Sequence, residues 1–187
     1  MNRSIQEICD RVAENRKIVK KASVGNMELV RSAAAALIAS AGQDADLKKL
    51  KECKKILRSN QGWLSDFRGH SELIFISKMA VQSNPEQYLA NASKVYKTIR
   101  GGKFFTSEMM ALAAMSIADS GRVSEAEEIA HKTKDLLAEM RSRHPFLVDN
   151  DNTAFAALLA LTDKSNEQIL AEVEACYEIM KDEFPMH

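Results

Sequence analysis

The sequence predicts an all-α protein built from repeated helical hairpins, either a HEAT-like α-solenoid or a repeat bundle. Three observations support this prediction. Apolar residues recur at helical spacing along nearly the whole chain, chain breakers divide it into about nine helices, and the pattern recurs at a period of about 41 residues. No segment reads as a strand. Because one hairpin cannot bury its apolar face alone, we expect neighbouring hairpins to stack.

The composition is that of one ordinary globular domain, covering residues 1–187. Of the 187 residues, 45% are apolar and 28% are charged, which allows a sizeable core and excludes collagen-like and disordered classes. No apolar run is long enough for a membrane span, and the N-terminus lacks the apolar core of a signal peptide. Three widely spaced cysteines form no CxxC pair, so we expect reduced, buried thiols in a cytoplasmic protein.

Start and stop signals delimit the predicted helices. Asn84 before Pro85 marks one helix start, and Ser124, three residues before Glu127, marks another. Glycines stand where helices should stop, at Gly42, Gly62, Gly101, Gly102 and Gly121. The predicted helices cover about residues 4–21, 26–41, 45–58, 67–82, 85–100, 106–119, 123–142, 151–162 and 165–182.

The repeat is visible at the end of the first helix of each hairpin. An arginine ends that helix and an aromatic residue follows in the next turn, at spacings of 41 or 42 residues: Arg58, Arg100 and Arg141, then Trp63, Phe104 and Phe146. Phe184 looks like the start of a further such turn. We therefore expect that the last helix caps the array or that the chain is a shortened form of a longer relative.

Two stretches and one short motif resemble a known family. They are residues 141–161, the turn at residues 62–68, and the later Cys176, Tyr177 and Glu178. Together they resemble the family of Bacillus-like bacteria catalogued as domain of unknown function 4003, from about residue 50 onward. Members of that family are generally longer than this chain. The resemblance implies no activity, because the family has none assigned, and its motifs are mostly helix-packing positions.

Charge distribution is the clearest pointer to function. The 26 basic and 26 acidic side chains cancel, but residues 1–58 carry a net charge of +6 and residues 59–187 carry −6. In an alternating solenoid the first and third helices lie side by side, so their lysines form one candidate basic patch. The patch comprises Lys17, Lys20, Lys21, Lys48, Lys51, Lys54 and Lys55. An acidic or phosphate-rich partner would bind there, and a solvated helix face is the alternative.

A second candidate site is the turn after the third helix. It gathers an aromatic ring, a carboxylate, a guanidinium and an imidazole, in Trp63, Asp66, Arg68 and His70. The alternative for Asp66 is a helix N-cap. The turn aromatics, Trp63, Phe104, Phe105, Phe146 and Phe184, either fill the gaps between repeats or form a stacking ladder. The repeated arginines either offset helix dipoles or bind a polyanion.

Metal and cofactor sites are not predicted. The histidines His131, His144 and His187 have no partner at ligand spacing, and no nucleotide or acyl-transfer motif occurs. Residues 149–152 resemble the opening of a calcium loop, but the sixth position is Ala154 and the twelfth is Ala160. We therefore expect this cluster to cap the eighth helix.

The sequence thus favours an interaction scaffold that binds another protein over an enzyme. Nucleic-acid binding through the basic N-terminal helices is the alternative, and an enzyme acting at the turn from Trp63 to His70 is the third candidate. We expect no membrane partner. Head-to-tail self-association between the basic end and acidic residues such as Glu172 and Glu178 also fits the charge distribution.

Overall fold

A computed structural model describes residues 5–22, 25, 27–62, 65–101 and 107–183. Within these residues the protein is all-helical, with nine α-helices and no strand. The helices are α1 (Ile5–Ala22), α2 (Glu28–Ser40), α3 (Leu47–Asn60), α4 (Glu72–Ala80), α5 (Pro85–Arg100), α6 (Glu108–Asp119), α7 (Ala126–Arg143), α8 (Thr153–Ala160) and α9 (Asn166–Glu183). The predicted all-α class is therefore confirmed.

Most helix boundaries follow the predicted signals. The side chain of Asn84 accepts a hydrogen bond from the backbone N–H of Gln87 at 3.0 Å, and Pro85 is the first residue of α5. Gly42 and Gly121 lie just beyond the ends of α2 and α6 with φ of 75° and 74°, a backbone conformation that favours glycine.

Two predicted starts are wrong. Ser124 does not cap α7: it lies inside a 3₁₀ turn, and Glu125 stands at the N-cap position without a side-chain bond. The fourth helix begins at Glu72 rather than near residue 67, because Asp66–Arg68 form a separate 3₁₀ turn. The side chain of Ser65, not Asp66, caps that turn through the N–H of Phe67.

The contacts divide the chain into two compact units, which we call the N-terminal unit (residues 1–91) and the C-terminal unit (residues 92–187). In the N-terminal unit, α1 packs on α2 and α3, and the short apolar helix α2 packs on α4. Its core includes a tilted pair of rings, Phe67 and Phe75, with centroids 5.4 Å apart. Helix α3 packs on α4 and presents its opposite face to solvent.

The C-terminal unit has a helical core of its own. Helix α7 packs on α8 and α9, and the short apolar helix α6 packs on α8. Alanines line much of this core, including Ala113, Ala114, Ala157 and Ala160, together with Ile169 and Leu170 of α9. Small side chains let the apolar helices approach closely, so the short α8 is held on two sides.

No helix in the described ranges is long and apolar enough to cross a membrane. The expectation of buried thiols holds for Cys53 alone, because Cys9 and Cys176 are exposed. Cys53 lies on the inward face of α3, between Leu50 and Leu57.

Candidate interaction surface

The outward face of α3 carries a row of lysines. The helix begins at Asp46, whose carboxylate accepts hydrogen bonds from the N–H groups of Lys48 and Lys49 at 2.7 and 3.4 Å. Its inward face buries Leu50, Cys53 and Leu57. Lys48, Lys51 and Lys55 lie on the opposite face and are exposed, and Lys54 is half-buried at its edge. We call these four residues the lysine stripe.

Arginines and lysines of the N-terminal unit differ in what they contact. The arginines with ion pairs are Arg11 with Asp44, Arg16 and Arg31 with Glu28, and Arg58 and Arg68 with Glu72. In contrast, no hydrogen bond or ion pair with a described residue holds the ammonium group of any lysine in the stripe. The stripe therefore presents positive charge that no ion pair among the described residues holds, although the exposed Glu52 lies on the same helix.

Carboxylates that face these arginines are fully engaged. Arg58 donates to both oxygens of Glu72, from Nε at 2.8 Å and from Nη2 at 2.9 Å, which ties the end of α3 to the start of α4. This hydrogen bonding raises the pKa of Arg58. Hydrogen bonds from Arg16 and Arg31 hold the pKa of Glu28 below its ordinary value. Neither carboxylate is left to pair with the stripe.

The predicted contact between α1 and α3 is present. Asn15, a buried polar residue of α1, donates to the carbonyl of Gln43 at 3.2 Å and accepts from the N–H of Ala45 at 2.7 Å. These bonds fix the segment just before α3 against the middle of α1. The N-terminal unit therefore carries both lysine groups of the predicted patch.

The α1 lysines of that patch are not equivalent. Lys17 is exposed, but its ammonium group pairs with Glu14 at 2.7 Å, so its charge is neutralised locally. Lys20 and Lys21 are exposed at the end of α1, where a cation also offsets the helix dipole. Neither has a hydrogen-bond or ion-pair partner in the described ranges. Lys49, which sequence reasoning left out of the patch, donates to the carbonyl of Gln82 at 3.2 Å.

Cys53 lies directly behind the stripe and is fully buried. Desolvation raises the pKa of the Cys53 thiol to about 11, partly offset by the positive charge of Lys49. A thiol with this pKa stays protonated at neutral pH and is a poor nucleophile. Cys53 therefore acts as a small apolar core residue.

The candidate turn site is only partly assembled. Trp63 lies outside the described residues. Arg68 donates to the carbonyl of Gln61 at 3.2 Å and lies 4.0 Å from Glu72, so its guanidinium is used within the turn. His70 is exposed and lines an open groove of about 340 Å³ with Gly25, Met27, Val30 and Gly69, a groove that Asp66 and Arg68 do not line.

One aromatic of the predicted ladder contradicts the packing interpretation. Phe146 is 99% exposed, so it does not fill a gap between repeats. The turn after α7 buries Val148 instead, against Leu137 and Ala156. The other ladder members, Trp63, Phe104, Phe105 and Phe184, lie outside the described residues.

A contact missed by sequence reasoning links α7 to α9. The Nε2 atom of His144 lies 3.1 and 3.2 Å from the two carboxylate oxygens of Glu174, and its ring lies 4.1 Å from the Tyr177 ring centroid to centroid. The two residues are 30 positions apart, and no short-range spacing rule finds such a pair. Arg143 lies 3.7 Å from the same carboxylate. The cluster holds the turn after α7 against α9.

The acidic stretch before α8 caps the 3₁₀ turn Asn150–Asn152 and not α8 itself, whose N-cap residue Asn152 forms no side-chain capping bond, so the predicted cap of the eighth helix is wrong in this detail. Asp149 accepts a hydrogen bond from the N–H of Asp151, and Asn152 accepts one from the N–H of Asp149, each at 2.8 Å. This reciprocal pair is a capping box. In the part of the chain that the structure describes, no three His, Cys, Asp or Glu side chains could hold a metal ion.

Two of the repeated arginines serve local structure. Arg58 binds Glu72, and Arg141 donates to the carbonyl of Val148 at 3.2 Å and to the side-chain oxygen of Asn150 at 3.2 Å. Each contact joins the end of one helix to the turn or helix that follows. This use favours a structural role over a polyanion ladder at these two positions.

Comparison with known proteins identifies one family. A model described as "Protein of unknown function (DUF4003)" matches residues 15–184. No curated protein and no solved structure matches the chain.

Proposed function

The chain belongs to the family of proteins of unknown function DUF4003, and we propose that it is an interaction scaffold that binds an acidic protein partner through the lysine stripe of α3. The observation that carries this proposal is that the described arginines of the N-terminal unit form ion pairs, whereas the four stripe lysines form none with a described residue. Lys51 and Lys55 are four residues apart on one helix and repel each other slightly. An acidic partner relieves this repulsion and gains Coulomb energy.

Nucleic-acid binding through the same helices is the alternative, and the surface favours it less. The chain has no net charge, and residues 1–91 carry only +5. The described aromatic residues of this unit, Phe67, Phe75 and Tyr88, are buried and present no stacking platform beside the stripe. The stripe also offers lysines, which act as point charges, rather than the bidentate arginines that read base edges.

The proposed scaffold is a HEAT-like helical repeat in the cytoplasm. Two kinds of contact support a repeat within each unit. Consecutive helices pack as hairpins in α1–α2, α3–α4 and α7–α8, and the short apolar helices pack on each other, α2 on α4 and α6 on α8. The exposed, unpaired thiols of Cys9 and Cys176 support a reducing compartment.

Charge reversal on the stripe tests the proposed function. The probe is polyglutamate, with a mixed-sequence duplex DNA measured in parallel, and binding is followed by fluorescence anisotropy over a salt series. We expect polyglutamate to bind at low salt, binding to weaken as salt rises, and Lys51→Glu with Lys55→Glu to weaken it by about tenfold.

The matched control reverses the same number of charges elsewhere. Lys94 and Lys97 are exposed on α5, so Lys94→Glu with Lys97→Glu changes the net charge of the chain equally. Unchanged binding in this control supports the stripe as the site. Equal loss in both variants, or no polyglutamate binding at low salt, contradicts the proposal. Tighter, stripe-dependent binding of DNA would instead establish the nucleic-acid alternative.

A further inference from the structure

Among the described residues, two helices carry exposed apolar side chains on one face. On α8, Phe155 and Leu158 lie three residues apart and are 63% and 50% exposed. On α2, Leu29 is 78% exposed, and Ala33 and Ala36 continue the same exposed face. Single exposed apolar residues are ordinary, but neighbouring ones on an otherwise uncharged helix face indicate a contact surface.

The two faces are both apolar, and their side chains complement each other in size. Helix α8 has no charged residue and presents large side chains, whereas the α2 face presents small alanines after Leu29. The opposite faces of α2 and α8 already pack on short apolar helices of the same unit, α4 and α6. An α2–α8 contact would therefore repeat a packing that each unit already contains.

The neighbouring helices carry opposite charge. Helix α1, which packs on α2, has five basic and three acidic residues, a net charge of +2. Helix α9 has one basic and six acidic residues, a net charge of −5. Its Ile169 and Leu170 belong to the same core cluster as Ala157 and Ala160 of α8. Pairing two α8 faces would bring two acidic helices together, and pairing two α2 faces would bring two basic ones together. Only the α2–α8 pairing brings opposite charges together.

We propose that the occupant of the α8 face is the α2 face of a second copy of this chain. The contact buries Phe155 and Leu158 against Leu29, Ala33 and Ala36, and sets α9 of one copy beside α1 of the next. Because the contact joins two different surfaces, the first copy keeps its α2 face free and the second copy keeps its α8 face free. The assembly therefore extends beyond a dimer as an open chain or closes into a ring.

A complementation experiment on the full chain tests this contact. One variant carries Leu29→Glu with Ala36→Glu, and the other carries Phe155→Glu with Leu158→Glu. Mass is measured by sedimentation velocity at low salt, from micromolar to millimolar protein. We expect the wild type to grow past two protomers, each variant to stay monomeric, and an equal mixture of the two variants to form a dimer and nothing larger.

The mixture is decisive because each variant retains the face that the other has lost. A dimer formed by the Leu29→Glu, Ala36→Glu variant alone would indicate an α8–α8 contact and would overturn the proposal. So would a monomeric mixture, or a wild type that stays monomeric at every concentration. The control, Ala90→Glu with Ala138→Glu, adds the same charge at exposed positions of α5 and α7 and should assemble like the wild type.

Folding and the stripe are controlled separately. Far-ultraviolet circular dichroism checks that each variant retains its helices. If the α2-face variant does not, Leu29→Ala replaces it. If the α8-face variant does not, Phe155→Ala with Leu158→Ala replaces it. Lys51→Glu with Lys55→Glu should leave assembly intact, since the stripe is not part of this contact. Failure of the proposed function and failure of the α2–α8 contact therefore give different results.

Discussion

The two units are both helical, and they carry net charges of opposite sign. Residues 1–91 carry 15 basic and 10 acidic side chains, and residues 92–187 carry 11 and 16. In the N-terminal unit the described arginines form ion pairs, whereas the stripe lysines form none with a described residue. In the C-terminal unit two lysines are held: Lys132 donates to the carbonyls of Thr162 and Lys164, each at 2.8 Å, and Lys164 itself pairs with Glu172. Both units are thus built from packed helices, but they differ in the charge of their exposed side chains.

This difference teaches where each unit leaves unused binding capacity. The N-terminal unit carries positive charge on α3 that no described residue pairs with. Both units keep large apolar side chains exposed, including Leu29 in the N-terminal unit and Phe155 and Leu158 in the C-terminal unit. Electrostatic attraction is screened by any salt, whereas apolar burial is strengthened by sulfate and phosphate salts. The two surfaces can therefore be separated experimentally by salt.

The largest expected effect compares two phenylalanines. Phe75 is fully buried beside Phe67 in the N-terminal unit, and Phe155 is 63% exposed in the C-terminal unit. Phe75→Ala should lower the free energy of unfolding by about 3–5 kcal/mol, because it leaves a cavity. Phe155→Ala should change it by less than about 0.5 kcal/mol in dilute protein. Urea unfolding followed by circular dichroism measures both, and similar losses would mean that the core assignment is wrong.

The next effect separates the buried thiol from the exposed ones. The pKa of Cys53 is raised to about 11 by burial, so the folded state keeps the thiol neutral while the unfolded chain ionises near pH 9. Its contribution to stability is complete below that pH and is lost as pH rises toward 11, by on the order of 2 kcal/mol. Cys53→Ala should remove this part of the pH dependence, measured by urea unfolding at pH 8 to 11.

Thiol labelling gives an independent check on the same residue. Native protein should react quickly with a disulfide reagent at Cys9 and Cys176, and Cys53 should react only after unfolding. Rapid labelling of Cys53 in the native state would show that the inward face of α3 opens.

A third prediction compares one ion pair from each unit. Glu72 is 14% exposed and receives two hydrogen bonds from Arg58, whereas Arg143 and Glu174 are 39% and 34% exposed and lie 3.7 Å apart. Glu72→Gln should cost about 1–2 kcal/mol, since it weakens two charge-assisted bonds at a nearly buried group. Arg143→Ala should cost less than about 1 kcal/mol. Chemical unfolding of both variants in one buffer tests the order, and a reversed order would contradict it.

The smallest expected effect is the change in stability when an exposed lysine is replaced by glutamate. This change should have opposite sign in the two units. Lys55→Glu replaces a repulsive i,i+4 pair with Lys51 by an attractive one, so we expect stability to rise by about 0.3–0.5 kcal/mol. Lys181→Glu removes the pair with Glu178 and should lower stability. Thermal unfolding at low and high salt measures the difference, which should shrink as salt rises.

Local signals predicted the helices well because their causes lie within a few residues. The cap at Asn84 and the capping box of Asp149 and Asn152 depend on side chains three residues from their partners. The predicted start of α7 was wrong because Ser124 lies within a 3₁₀ turn that precedes the helix. Whether a serine caps a helix or extends a turn before it depends on how the chain approaches that helix, which the local sequence does not specify.

The candidate site was predicted in composition but not in detail. The sequence identified the lysines of α3 and the neighbouring α1, but it did not separate Lys17, which is paired, from Lys20 and Lys21. It found no partner for His144 at metal-ligand spacing and did not find Glu174, which lies beside the His144 ring in the structure. Periodicity shows which face of a helix is polar, but it cannot show which charges meet across helices.

The sequence by itself determined the all-α class, the order of the helices, most of their ends and the excess of positive charge in the first part of the chain. Each of these follows from residues close together along the chain, through periodicity, capping and backbone preference. The tertiary structure alone decided which charges are neutralised, through pairs such as Arg58 with Glu72, and which apolar faces stay exposed. Those outcomes depend on helices that meet from distant parts of the sequence, and packing, not local preference, sets their distances.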